Sequence, residues 1–287
     1  MSEKGQRKPK ASRRERRINL AGVDQSLVDA LKTTYSLPTQ PAPIEQAEAH
    51  LGGGFATEFP QVASLWSEVC SLYTSLAERR ATLGDKSTLR TAIDFLGIKG
   101  FCEARAAHLL ISHGYALASF GPLRAAQEAC ELMQYLLIHP EEADAWLREE
   151  EKFDDLSWVR KQVRITSAAS YSFMNWGLHP NAGLIGPLLG ISANAADTHL
   201  ELMPGPFRNT GLAKAFSTQA LFWALGIVGL MCEQRKELVS QIWRDRYEVC
   251  CGRLGNVMED VVGQQTTALE MRKALARVSA SHKGAQS

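Results

Sequence analysis

FGPLRAAQEACELMQYLLIHP, residues 120–140, decides the fold. Leu123, Cys130, Met133 and Leu137 recur at helical spacing, and Arg124, Glu128, Glu131 and Tyr135 follow at i, i+4, i+7 and i+11. An apolar face and a polar stripe on one segment predict an amphipathic helix from Pro122 to Ile138, stopped at His139-Pro140. Working backward, Cys102 to Phe120 reads as a helix joined through Gly121, a short join that favours an antiparallel neighbour. Ser87 reads as a cap for a helix through Phe95 that stops near Gly97 and Gly100. Pro60 to Arg80 places Val62, Leu65, Trp66, Val69, Leu72, Tyr73 and Leu76 on one face of a long helix.

Working forward, Pro140 suits the first turn of a helix from Glu141 to Glu151, and Asp154 and Asp155 open another. Ser167 to Leu178 is a further helix, ending at His179-Pro180. Asn181 to Thr210 reads as a long loop with a short helical piece near Ala193 to Leu200. Ala215 to Cys232 is uncharged, but its strongly apolar part is too short to span a bilayer comfortably, so it reads as a buried core helix. The last helix runs from Glu233 to about Ala280. There Trp243, Tyr247, Cys250, Leu254, Val257, Val261, Ala268, Met271, Leu275 and Val278 follow a seven-residue pattern, a coiled-coil-like seam open to self-association. The fold class is all-α, a helical bundle with a long C-terminal amphipathic helix.

The segments sort into a disordered basic arm (1–22), a weak helix with a Pro/Gly-rich linker (23–59), a helical domain (60–280) and a tail (281–287). The linker contains Gly52, Gly53 and Gly54, which break the chain; no Gly-Lys-Ser/Thr follows, so they do not make a phosphate loop. The first 17 residues hold eight Lys and Arg against Glu3 and Glu15, or +6; with the whole chain at +1, the body stands at −5. Such an arm attracts phosphates by counterion release, and Arg13, Arg14, Arg16 and Arg17 are its candidate nucleic-acid contacts. The other reading is a solvated tail, since no aromatic residue is interleaved to stack on bases.

The six cysteines show no CxxC pair and no zinc spacing, which points to a reducing cytoplasm. No apolar run follows the basic N-terminus, so neither a secretory signal nor a membrane partner is expected. Neither a metal nor a cofactor is expected, and no nucleophile motif occurs.

The polar residues are the candidate site. Arg124 and Glu128 share one helix; Tyr171, Asn175 and His179 lie at i, i+4 and i+8 on another; Arg105, His108, Ser112 and Tyr115 form a third stripe. If these faces converge, a guanidinium, carboxylates and imidazoles meet in a partly dry place where acid or base chemistry becomes feasible. The competing reading makes Arg124 and Glu128 a helical ion pair, and His108, His113 and His179 structural.

LRAAQEACELMQYLLIHPEEADAWL (123–147) followed by SYSFMNWGLHPN (170–181) resembles a group of uncharacterised bacterial all-α proteins. In these, a helix with Arg-x-x-x-Glu precedes a helix ending in Tyr or Ser, then His and a small residue or proline. They are similar in turn to the HEPN class of helical bundles, which includes ribonuclease toxins and anti-phage effectors as well as noncatalytic members. The resemblance covers roughly Cys102 to Asn181 and implies RNA as partner, in a defence or toxin setting. A HEPN ribonuclease is expected to carry Arg, four to six residues, then His, completed across a dimer. Here Arg105 precedes His108 and His113 by two and seven intervening residues, and neither spacing fits. If the set is catalytic, His179 moves the proton, Arg124 stabilises phosphate charge, and Tyr171 and Asn175 orient the ring. Two other readings stand beside it. One is a noncatalytic interaction or regulatory protein acting through its C-terminal helix; the other is a small-molecule enzyme with 181–210 as a lid.

Overall fold

The structure, a computed structural model, describes residues 18–19, 44–80, 87–153, 155–163, 189–191, 199–202, 206 and 210–261. The fold is all-α, as the periodicity predicts. Its helices are α1 (Ile44–Glu58), α2 (Pro60–Arg80), α3 (Thr88–Ser112), α4 (Phe120–Ile138), α5 (Ala143–Leu147), α6 (Ser157–Val163), α7 (Thr210–Glu233) and α8 (241–261). A small antiparallel sheet is appended. Its central strand, His199–Leu202, pairs with Ile18–Asn19 on one side and Leu189–Ile191 on the other. Residues 199 and 200, expected at the end of a short helix, are therefore strand; 192–198 lie outside the described residues.

α7 is the axis of the bundle, packing against α2, α3 and α4. It is apolar nearly all round, and Phe216, Ala220, Leu221, Trp223, Ala224, Ile227, Val228 and Met231 are buried, as a central helix requires. Among the described residues it alone is long and apolar enough to cross a membrane, and 61% of that stretch is buried inside the protein. The face predicted on α2 is the one buried: Val62, Leu65, Trp66, Val69, Leu72 and Leu76 are all 2% exposed or less. Each such side chain contributes about 1.5–3 kcal/mol of hydrophobic transfer.

The glycines have a different role from the one their composition suggests. α3 runs unbroken through Gly97 and Gly100, with Ser87 Oγ accepting the Arg90 backbone N–H at its start. A Cβ on Gly100 would stand 2.7 Å from Ile227 Cδ1 and 2.8 Å from Ala129 Cβ, and one on Gly97 would stand 2.6 Å from Met231 Sδ. These residues let α7 and α4 approach α3 closely; they do not end it. Gly52 to Gly54 likewise lie inside α1, where Gly52 receives the His113 ring. The residues expected to be linker thus contribute Phe55 and Phe59 to the core. α3 ends at Ser112, and Gly114, at φ 91°, turns the chain toward α4.

The expected helix from Glu141 is shorter, a 3-10 turn at Pro140–Glu142 followed by α5. Asp155 opens α6, its carboxylate accepting the Ser157 backbone N–H at 2.8 Å. Nor does one helix begin at Glu233. α7 ends there, a 3-10 turn follows at Lys236–Leu238, and α8 starts at 241. Buried Arg235 in that turn is ion-paired with Asp94 of α3, and Arg90 donates to the Gln234 carbonyl at 2.8 Å.

α8 runs antiparallel to α2. Trp243 Nε1 donates to Ser75 Oγ at 2.9 Å, Arg246 to Glu68 at 2.7 Å and to Ser71, and Arg253 to Ser64 at 3.0 Å. Trp243, Cys250, Leu254, Val257 and Val261 of the seven-residue seam are buried within this same chain. The seam's later positions, from Ala268, lie outside the described residues.

Candidate functional site

α4 carries the predicted polar stripe into contact with α6. Arg124 Nε donates to Glu128 Oε1 at 2.8 Å. Arg160 of α6 lies between the two α4 carboxylates, with its Nε donating to Glu131 Oε2 at 3.0 Å and its terminal nitrogen 4.0 Å from Glu128 Oε1. Gln127 Nε2 donates to the other Glu131 oxygen at 2.7 Å. Two guanidinium groups and two carboxylates thus alternate along one line. Exposure falls along it, from Arg124 at 32% and Glu128 at 28% to Arg160 at 12% and Glu131 at 0%.

Glu131 sits among Cys130, Leu132 and Met133, all buried. A carboxylate there costs several kcal/mol of desolvation unless paired and hydrogen-bonded, and Arg160 and Gln127 meet that demand. Burial and the Glu131 charge push the Cys130 thiol up to about 12, so it behaves as an inert apolar group. Tyr135 closes the stripe with its ring edge-on to Trp158 at 4.9 Å and beside His139 at 4.7 Å. Burial, then the Glu142 charge, raises its phenol above the ordinary value.

The third stripe goes elsewhere. His108 stacks on Trp66 of α2, centroids 4.5 Å apart, and meets Phe55 of α1 edge-on at 5.2 Å. Arg105 lies over the same Trp66 ring, and Tyr115 donates to Glu48 of α1. Burial, with Arg105 and His113 nearby, pushes the His108 imidazole down to about 3, and its Nδ1 has no hydrogen-bond partner among the described residues. His108 is therefore a neutral aromatic core residue. Convergence of this stripe with Arg124 and Glu128 does not occur, because α3 turns it toward α1 and α2 while α4 turns the other stripe toward α6.

Compared with protein-family models, curated proteins and solved structures, the chain matches none.

Of the predicted site residues, Arg124 and Glu128 are joined directly. Tyr171, Asn175 and His179, and Arg13, Arg14, Arg16 and Arg17 of the arm, lie outside the described residues. Sequence reasoning missed Arg160, which lies 29 positions from its partner Glu131. Its one available signal was indirect: a glutamate flanked by Cys130, Leu132 and Met133 needs a cation from another helix. As arranged, the cluster can hold α6 against α4, and its outer end is the half-buried Arg124–Glu128 pair.

Proposed function

We propose that this chain is a noncatalytic, cytoplasmic interaction protein that works through its C-terminal helix. One observation carries the reading: the charges of the α4 stripe are matched, Arg124 with Glu128 and Arg160 with Glu131, at 2.8 and 3.0 Å. A general base needs a carboxylate or imidazole held ready for a proton, and a phosphate site needs surplus positive charge. Here both carboxylates are occupied by guanidinium groups, the pattern of a structural tie between helices.

A second reading, a HEPN-like protein that binds or cleaves RNA, is supported by the Arg-x-x-x-Glu pattern of Arg124 and Glu128, whose side chains are half-buried at the outer end of the cluster. His179 would then move the proton and the basic arm would hold the strand.

Incubating the full-length protein, Arg124→Ala and His179→Ala with labelled single-stranded RNA over a salt series, with thermal melts of each, separates the two. The first reading expects intact RNA throughout, with any effect of the substitutions confined to the melts. Cleavage by the wild type that both substitutions abolish without moving the melts would refute it. Salt-sensitive binding lost in a chain starting at Asn19 would support an RNA-tethering arm.

A further inference from the structure

Through Val261, the seam that the seven-residue pattern offers for self-association is turned into the chain's own core, against α2 and α7. The flank of α8 beside α2 is open, and it carries two large apolar side chains two helical turns apart. Ile242 is 73% exposed and Val249 61%. Both line a shallow depression of about 300 Å³ between α8 and α2, with Glu68, Asp245, Arg246 and Arg253 around them.

The charges on this face have a particular arrangement. Asp245 lies four residues before Val249 and Arg253 four residues after, so each stands about 6 Å along the axis and about 40° around it, on opposite sides. Among the described residues neither has an ion-pair partner. Asp245 accepts from Gln241 at 2.7 Å, and Arg253 donates to Ser64 at 3.0 Å. A two-fold axis through Val249 places Asp245 of one copy opposite Arg253 of the other, twice over, and Val249 on Val249. The same axis places Gly252 of one copy beside Arg246 of the other, and Gly252 has open space where a Cβ would stand, so the helices can approach there while Arg246 keeps its contacts to Glu68 and Ser71. An isologous interface needs just such self-complementarity, whereas a different partner would not require charges of opposite sign at equal offsets.

We propose that this face of α8 binds a second copy of the chain, the two α8 helices crossing antiparallel about Val249 with reciprocal Asp245–Arg253 ion pairs. This rests on the interaction reading above and names its partner.

Sedimentation equilibrium of the full-length protein tests it. The wild type is expected to form a concentration-dependent dimer. Val249→Asp raises the dimer Kd at least tenfold without moving the melting temperature measured at concentrations where the wild type is monomeric, since the site is exposed in the monomer. Asp245→Arg and Arg253→Asp, each placing like charges face to face twice, raise it about tenfold, equivalent to about 1.4 kcal/mol. The double variant Asp245→Arg/Arg253→Asp restores it to near the wild-type value. A wild type that stays monomeric to its solubility limit overturns the proposal and leaves the face to a different protein. A dimer indifferent to Val249→Asp, or one that the double swap fails to rescue, overturns this geometry. RNA cleavage in the assay above would overturn the function without touching these outcomes.

Discussion

Removing Arg160 isolates the energetics of the α4–α6 cluster. The guanidinium is 12% exposed and its partner Glu131 is 0% exposed, so Arg160→Ala takes from a buried carboxylate the guanidinium that stands 3.0 Å away. Breaking a buried pair from one side costs about 3–5 kcal/mol, because the stranded charge keeps its desolvation penalty. For a chain of this size that corresponds to a fall of roughly 6–12 °C in melting temperature. Urea unfolding followed by tryptophan fluorescence should show the midpoint shift, with Trp158, on α6 itself, among the reporters. Arg160→Met/Glu131→Gln removes both charges while keeping an acceptor for Gln127, and it should regain most of the loss because no charge is left stranded. A loss below about 1 kcal/mol for Arg160→Ala, the range of a surface pair, would refute the account of Glu131 as a carboxylate held buried by Arg160.

Acid should destabilise the protein through His108. Its imidazole is held neutral with a pKa of about 3, against 6.5 when exposed, so its contribution is intact above pH 6.5 and is lost as pH falls from there toward 3. The slope approaches about 1.4 kcal/mol per pH unit, or roughly 2–3 kcal/mol by pH 4.5, and His108→Phe should flatten that limb of the urea midpoint against pH. An unchanged acid limb would show that other groups carry it. Gly100→Ala should destabilise by about 1–3 kcal/mol despite alanine's better helix propensity, because the added Cβ meets Ala129 and Ile227; a gain in melting temperature would mean that the helices move apart freely.

Periodicity made the bundle legible. The face of α2, the polar stripe of α4 and the buried character of α7 follow from spacing alone, since burial selects apolar residues at the helical repeat. Glycine misled where its cost in an isolated helix was weighed without its use in packing. Gly97 and Gly100 read as a stop because a sequence does not display Met231, Ile227 and Ala129 arriving from other helices. The turn at 234–240 was hidden for a related reason. LVSQIW has no strong breaker, and the buried Arg235–Asp94 pair that holds the turn joins residues 141 positions apart. At the candidate site, Arg124–Glu128 was readable because i, i+4 geometry is local. Arg160 was not, because only tertiary packing brings α6 against α4. For the seam from Trp243 to Val261, apolar periodicity shows that a face will be buried, not which chain buries it; here it is the chain's own core.

The indole of Trp243 closes the bundle onto Ser75, 168 residues earlier in the chain. On a ribosome adding roughly 5–20 residues per second, α2 waits roughly ten to thirty seconds for the helix that covers its Ser64-to-Ser75 flank. The nascent chain therefore presents an unfinished surface along α2 until α8 emerges. Premature termination before Trp243 would make that exposure permanent, leaving a product that chaperones and proteases can recognise although most of its core sequence is present.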